Sequence, residues 1–379
     1  MSEVKVIEVK NRQQMEDFIR VPRDIYCDNQ QYVPDIESDV PKLFDPRKNS
    51  ALEFSDIQPF VAYRDEEPLG RIVGIVNKKA NTSWQTRNVR FSMIEFIDDI
   101  EVSKALIDAV KVWGRERGMN TIQGPMGITD FDKEGMLVED FHLMGSVNTI
   151  YNPSYYPRHM EALGFQKEVD WLQIRIQIPE EVPAKYARVA QYAREQVGLR
   201  VVKLTNKMIF EGHYGQKVFA LLNESYKPIF GFSALSPRQI DEFLHKYLKM
   251  VDKQLIPVVL NDQDEVVGVA ICMGSLSRPM QKAKGRLWPL GWYHLGKALL
   301  WHREDNAEML LVAVRPDYQG LGVNALFFDD LIPIYNKYGF RWAETGPQLE
   351  SNVRELSQWK VLNPEYVKRR RCFTKKIED

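Results

Sequence analysis

The stretch Leu310–Phe328, LLVAVRPDYQGLGVNALFF, limits the folds open to this chain more than any other. It reads as an apolar strand, a short polar turn, the loop Gln319-Gly320-Leu321-Gly322 and the first turns of a helix. A strand that runs through glycines into a helix aims the loop amides and the helix N-terminus at one point, where an anion is favoured. The glycines also let a ligand approach the backbone, because no Cβ intervenes. The same pattern serves as an ordinary tight β–α connection, so the rest of the chain must decide between the two.

At 379 residues the chain exceeds one compact core, and two domains are expected. Its 44% apolar and 27% charged residues suit a globular protein and argue against disorder. A net charge of −1 supplies no global basic field for nucleic acid or an anionic membrane. Cys27, Cys272 and Cys372 lie far apart with no CxxC, which reads as reduced thiols, and no metal site is expected. Met1–Arg12 is mostly charged and polar, with no secretory signal, and no apolar run approaches the ~20 residues needed to span a bilayer. A cytoplasmic location is the expectation.

Hairpin signatures stand around Asp65-Glu66-Glu67-Pro68 and Asn261-Asp262-Gln263-Asp264. Helical periodicity is clearest over Val102–Arg117, with further helices expected at Asn11–Arg20, Ala184–Val197, Lys207–Ser225, Ser236–Val251 and Asn352–Trp359. Strands are expected at Val4–Val9, Val89–Phe96, Thr121–Gln123, Phe165–Ile178, Arg200–Lys203, Arg341–Glu344 and Lys368–Ile377. The polar, proline-bracketed run 179–183 reads as a linker between a domain at 1–178 and another at 184–379.

The two halves repeat one order of elements. A single shift places Val102 on Val323 and Gly118 on Gly339, and Gly124-Pro125 falls on Gly346-Pro347 with one residue inserted. Where the second half has Gln319-Gly320-Leu321-Gly322, the first has Asp98-Asp99-Ile100-Glu101. Acids suit a helix start but repel a phosphate there, so only the second copy is expected to bind one.

The strand, the run Arg315–Gly322 and the following helix resemble the acetyl-CoA pyrophosphate loop of the GNAT acyltransferase superfamily, whose pattern is Gln/Arg-x-x-Gly-x-Gly/Ala. Gln319 and Gly322 match it, and Asn324 stands where the family has Gly or Ala. The resemblance implies an α/β (mixed α+β) fold of two GNAT-like domains, each a twisted, largely antiparallel sheet flanked by helices, the first copy degenerate. It implies acetyl-CoA or another acyl-CoA as co-substrate. The amides of Val312, Ala313 and Val314 would pair with the pantetheine arm, and those of Gln319, Gly320, Leu321, Gly322, Val323 and Asn324 would take the pyrophosphate. Asn352 matches the family's later asparagine, but the tyrosine expected seven residues on is Trp359, which cannot protonate a thiolate.

Acyl transfer to an amine needs a base and an acid. Glu344, Glu308 and His302 are the candidate catalytic groups, each with an ordinary structural role as its rival. Trp288, Trp292, Tyr293 and Trp301, with Lys282, Lys284 and Arg286, read either as the wall of an acceptor cleft or as a covering helix and loop. The expected function is an acyl-CoA-dependent N-acyltransferase acting on a small-molecule amine or amino acid. The alternatives are a catalytically silent CoA- or acyl-ligand-binding pair, a protein acting only through its aromatic segment, and a tRNA-dependent aminoacyl transferase like tandem GNAT-like peptidoglycan enzymes. Nucleic acid is otherwise not an expected partner, despite the run Lys368–Arg371.

Overall fold

The computed structural model describes residues 2–247, 251–301 and 304–378. The chain divides into two compact units. The first comprises Met1–Leu172, Ser277–Trp292 and Val367–Asp379, and the second Gln173–Leu276 and Tyr293–Tyr366. The units are therefore not consecutive halves of the chain.

The first unit opens with β1 (Lys5–Glu8) and α1 (Arg12–Ile25), which Asn11 and Gln14 start with a reciprocal capping box. The hairpin β2 (Ser55–Arg64) and β3 (Glu67–Asn77) turns through Asp65 and Glu66, both at positive φ (49° and 67°), the twist a two-residue turn needs. Then come α2 (Lys78–Trp84), β4 (Asn88–Phe96), α3 (Ile100–Arg115), β5 (Thr121–Gly124), β6 (Met136–Leu137), α4 (Tyr155–Ala162) and β7 (Gln166–Gln177). The strand order is β1-β2-β3-β4-β5, antiparallel except for the β4–β5 pair. The apolar face expected of α3 is Val102, Leu106, Ala109, Val110 and Trp113; all but the half-buried Ala109 are buried on this sheet with Phe91, Phe96 and Ile122.

The second unit continues with α5 (Ala184–Gln196), β8 (Arg200–Lys203), α6 (Asn206–Phe210), α7 (Tyr214–Tyr226), α8 (Pro237–Tyr247), β9 (Pro257–Leu260) and β10 (Val266–Gly274). The single helix expected over Lys207–Ser225 is two, because His213 takes a left-handed φ of 58° after Gly212. After β10 the chain forms α9 (Ser277–Ala283), which belongs to the first unit, and α10 (Gly291–Trp301), most of which belongs to the second. Then follow β11 (Asn306–Val314), α11 (Val323–Tyr338), β12 (Trp342–Thr345), β13 (Gln348–Leu349), α12 (Val353–Gln358) and β14 (Glu365–Lys376). In the second unit the strand order is β7-β12-β11-β10-β9-β8, with β11–β12 parallel and the other pairs antiparallel. Helices α5 and α11 cover one face, where Tyr186 stacks on Phe328 with ring centroids 4.6 Å apart. Gly268 of β10 makes this packing close, since a Cβ there would meet the Val323 side chain at 2.5 Å.

The terminal strand explains the basic run. From Val367 onward β14 belongs to the first unit, pairing with β5 and β6. Arg371 and Arg369 both hold the carboxylate of Asp170, which is 1% exposed, and Arg369 also reaches Glu139. Arg370 is fully buried and donates to the Ile150 carbonyl and Thr149 Oγ1. The charges that look like a nucleic-acid patch in the sequence are thus engaged within the unit. Removing the carboxylate takes away the buried anion that the two partly buried guanidinium groups share, so Asp170→Ala should cost about 3 kcal/mol. Urea unfolding of the variant beside the wild type measures this, and an unchanged midpoint would contradict the role given to Asp170.

Candidate functional site

The site is built on one interruption among the strands of the second unit. Strands β11 and β12 pair in parallel only from Asn306–Trp342 to Met309–Thr345. The Gly346 amide then donates to the Met309 carbonyl at 2.7 Å, and Pro347 has no amide to continue the ladder. Beyond that point β11 stays paired with β10 alone as far as Val314. The Arg315 amide donates to Val267 of β10, so by alternation Ala313 faces β10, while the backbone groups of Val312 and Val314 face the open edge. Two hydroxyls from the end of α7 reach that edge: Tyr226 donates to the Val312 carbonyl (3.1 Å) and Ser225 to the Val314 carbonyl (3.3 Å).

The open edge leads to the glycine loop. Arg315 is fixed by Asp317 and Glu265 and lies over the Tyr318 ring, which pins the turn before the loop. Gln319 donates from its side chain to the Val314 carbonyl at 3.4 Å. Gly320 and Gly322 both adopt left-handed φ, 87° and 91°. A Cβ on Gly320 would meet nothing within 4 Å, whereas one on Gly322 would press on Val189 and Ala193 of α5. Leu321 donates back to Tyr318, and the first intrahelical bond of α11 runs from Leu326 to the Gly322 carbonyl. The amides of Val323, Asn324 and Ala325 precede that bond, so the helix leaves them for an external acceptor. Asn324 donates to Gln358 at 2.6 Å, and its Oδ1 is buried with no partner. The loop therefore offers open space, positive dipole and amide donors, and fits an anionic phosphate group.

At the other end of the edge stand two carboxylates. Glu308 on β11 and Glu344 on β12 are directly opposite in the parallel register, 6% and 5% exposed. Residues directly opposite share a face of the sheet, about 5 Å apart between neighbouring strands. Arg175 of β7 is the register partner of Glu344 on the other side and binds it at 3.0 Å, while its guanidinium covers the Trp342 ring. Gln173 adds a second donor to Glu344, also at 3.0 Å. Glu308 accepts from Ser275 at 2.7 Å. Two of the three catalytic candidates are thus brought side by side, and His302 lies outside the described residues.

Helix α12 carries the remaining candidates. The Asn352 side chain caps the helix, accepting from the Glu355 amide at 3.3 Å. Trp359 is 4% exposed, packs edge-on against Phe328 and donates to Gln348. It is a core residue at the position where the resemblance expects an acidic tyrosine. Glu355, absent from the sequence reading, has the chemistry that Trp359 lacks. Burial pushes its carboxyl up to about 7, against a smaller opposing pull from the Gln358 amide. Gln358 links it to Asn324 of the loop helix. Spacing alone gave no reason to single out one more glutamate on a short helix, and the shift comes from tertiary burial.

The first unit repeats the frame with other chemistry. In the ladder β4–β5, Arg90 pairs with Gln123 two places after the first pair, the position that Glu308 and Glu344 hold in β11–β12. At the start of α3, Asp99 caps the helix and binds Arg64 together with Glu101, while Asp98 meets His159 at 2.8 Å. Those carboxylates fill the place where α11 leaves its amides open.

No family model matches the chain. In sequence it is similar to Protein YghO of Escherichia coli (strain K12), 22% identical over 374 residues, covering 97% of this chain and 94% of that protein. It is also similar to Bacterial ceramide synthase of Caulobacter vibrioides, 23% identical over 323 residues, covering 84% and 82% respectively. In structure it is similar to a tandem GNAT protein from the clavulanic acid biosynthesis pathway, with TM-score 0.58 and 11% identity over 100% of this chain and 99% of that one. A GCN5-related N-acetyltransferase from Sphaerobacter thermophilus gives TM-score 0.55 at 11% identity, covering 99% and 96%. The chain has the tandem GNAT fold.

The raised Glu355 carboxyl makes stability depend on pH. Its folded value of about 7 lies above the ordinary 4.5, so the folded state holds the proton more tightly. That contribution is complete below about 4.5 and is lost as pH rises through 7. Wild type should therefore lose on the order of 2–3 kcal/mol across this window from Glu355 alone, and Glu355→Gln should not. Chemical denaturation of both proteins at pH 4.5 and pH 8 reads the difference. Parallel pH profiles would mean that Glu355 titrates normally.

Proposed function

We propose that this protein is an acyltransferase that moves the acyl group of an acyl-CoA onto an amine, with CoA held by the second unit. The observation that carries the reading is the parting of β11 from β12 just past the Glu308–Glu344 pair. It leaves an open strand edge running from two buried carboxylates to a glycine loop suited to phosphate.

Each residue then has a task. The amides of Gly320 and Gly322–Ala325 hold the pyrophosphate, helped by the dipole of α11. The open-edge groups of Val312 and Val314 pair with the pantetheine amides, and each carbonyl has a second lone pair beyond the one its hydroxyl uses. The acyl thioester is the activated donor. The amine nitrogen attacks its carbonyl carbon, forming C–N while C–S breaks. A carboxylate of the Glu308–Glu344 pair takes the amine proton, and Arg175 and Gln173 keep Glu344 oriented. The leaving thiolate needs a proton, and Glu355 on α12 holds one near neutral pH. The Caulobacter relative's name denotes formation of an amide-linked lipid. Long-chain amines therefore belong with amino acids and small amines among the acceptors to assay, with acyl donors from acetyl upward.

A second reading, CoA binding without turnover, is favoured by one feature: Trp359 is locked in the core where an acid is needed. Binding and chemistry are therefore tested separately. Gly320→Asp puts a carboxylate where nothing lies within 4 Å, and because a φ of 87° strains any side chain there, Gly320→Asn carries the same backbone cost without the charge; CoA affinity should fall at least ~100-fold further in the Asp variant than in the Asn variant. Titration calorimetry measures this, and equal affinity in the two variants would remove the loop from the site. Glu308→Gln and Glu344→Gln should each lower kcat by roughly 10²–10⁴ with little change in KM for the acyl donor, followed by thiol release. Thiol release that is absent from wild type across the amine panel, together with tight CoA binding, would establish the silent reading instead.

A further inference from the structure

Helix α10 has the wrong side facing out. On its outer surface Trp292, Gly296 and Leu300 recur every four residues, with Tyr293, Lys297 and Trp301 beside them, while Leu295 and Ala298 are buried. Trp292, Tyr293, Leu300 and Trp301 are 57%, 45%, 73% and 58% exposed, and Trp288 and Leu290 in the turn before the helix reach 79% and 63%. Three of the chain's eight tryptophans are therefore exposed within fifteen residues. Scattered exposed apolar residues need no explanation, but a contiguous aromatic run marks an interaction surface.

Its charge selects the partner. From Ser277 to Trp301 the chain has Arg278, Lys282, Lys284, Arg286 and Lys297 and no aspartate or glutamate. Lys282 and Lys284 are exposed, and Arg286 is held by Glu37. Tryptophan and tyrosine with lysine around them are the side chains that settle at the boundary between headgroups and acyl chains, and lysines add attraction to anionic lipid. An eleven-residue helix is about 16 Å long, too short to cross a hydrocarbon core of about 30 Å, and no helix among the described residues is long and apolar enough to do so. We propose that Leu287–Trp301 docks this protein on an anionic lipid bilayer, with α10 lying in the interface and not spanning it. The near-zero net charge of the whole chain does not oppose this, because charges beyond about 10 Å are screened at physiological salt.

Flotation of the full chain with vesicles tests the proposal. Phosphatidylglycerol–phosphatidylcholine vesicles should carry the protein at least tenfold better than pure phosphatidylcholine, with a blue shift of tryptophan emission. Trp288→Ser with Leu300→Ser, both on exposed side chains, should lower vesicle binding at least tenfold with the melting temperature unchanged. Lys282→Glu with Lys284→Glu should abolish the preference for anionic vesicles. Failure of the wild type to float, or flotation that both double variants leave intact, would overturn the proposal. So would a concentration-dependent dimer in sedimentation that Trp288→Ser/Leu300→Ser dissolves without changing flotation, since the surface would then belong to a second copy of this chain.

Discussion

The second unit depends on a backbone hydrogen-bond ladder that stops early. The Gly346 amide makes the last link to Met309, Pro347 has nothing to donate, and a Cβ on Gly346 would lie 2.9 Å from the Leu310 carbonyl. From there β12 cannot follow β11. A strand edge inside a compact unit must find other partners, because buried backbone groups left unpaired are costly. The hydroxyls of Tyr226 and Ser225 supply part of that demand, and they leave amides and spare carbonyl lone pairs facing the same gap. The gap begins at two carboxylates and ends at a helix N-terminus, so one broken ladder sets the geometry of everything proposed for the site.

The first unit shows that the frame does not dictate the chemistry. It has the same parallel pair, the same helix connecting its two strands and the same Gly-Pro where the second of them ends. Its loop acids are spent on Arg64 and His159, and Arg90 replaces a glutamate in the ladder. Burial pushes the Asp130 carboxyl up to about 8 and raises Glu134 as well, with the Arg90 charge opposing. The copies thus share a backbone and differ in which charges they leave available.

Much of this was legible in the chain. The glycine loop, both hairpins, the buried face of α3 and the contrast between Gln319–Gly322 and Asp98–Glu101 follow from local rules of turn chemistry and periodicity. Glu308 and Glu344 could be nominated but not joined, because their register is set by a parallel ladder between residues 36 apart, which no local pattern encodes. Arg175 and Gln173 were invisible for the same reason: they reach the site from β7 through strand pairing. Trp359 could be read as the wrong residue for an acid, but only packing against Phe328 shows it as core. The aromatic segment reads from sequence either as a cleft wall or as a covering helix and loop, and which of its side chains are exposed is something composition cannot tell.

The Glu308–Glu344 pair is the feature least easily explained by stability. Like charges directly opposite on neighbouring strands repel, and burial adds a desolvation cost to each. Arg175 and Gln173 answer Glu344, and Ser275 answers Glu308, yet a well-packed apolar pair would be at least as stable without any of them. One residue earlier the same ladder places Ala307 opposite Ala343, both buried in the apolar core on the other face. Two carboxylates therefore hold a position that packing alone would give to apolar side chains, at the last rungs before the strands part. Placed elsewhere in the sheet they would only destabilise it. Beside an opening that leads to amide donors, the reaction proposed above would give that cost a use, with one of the two carboxylates taking the proton of the incoming amine.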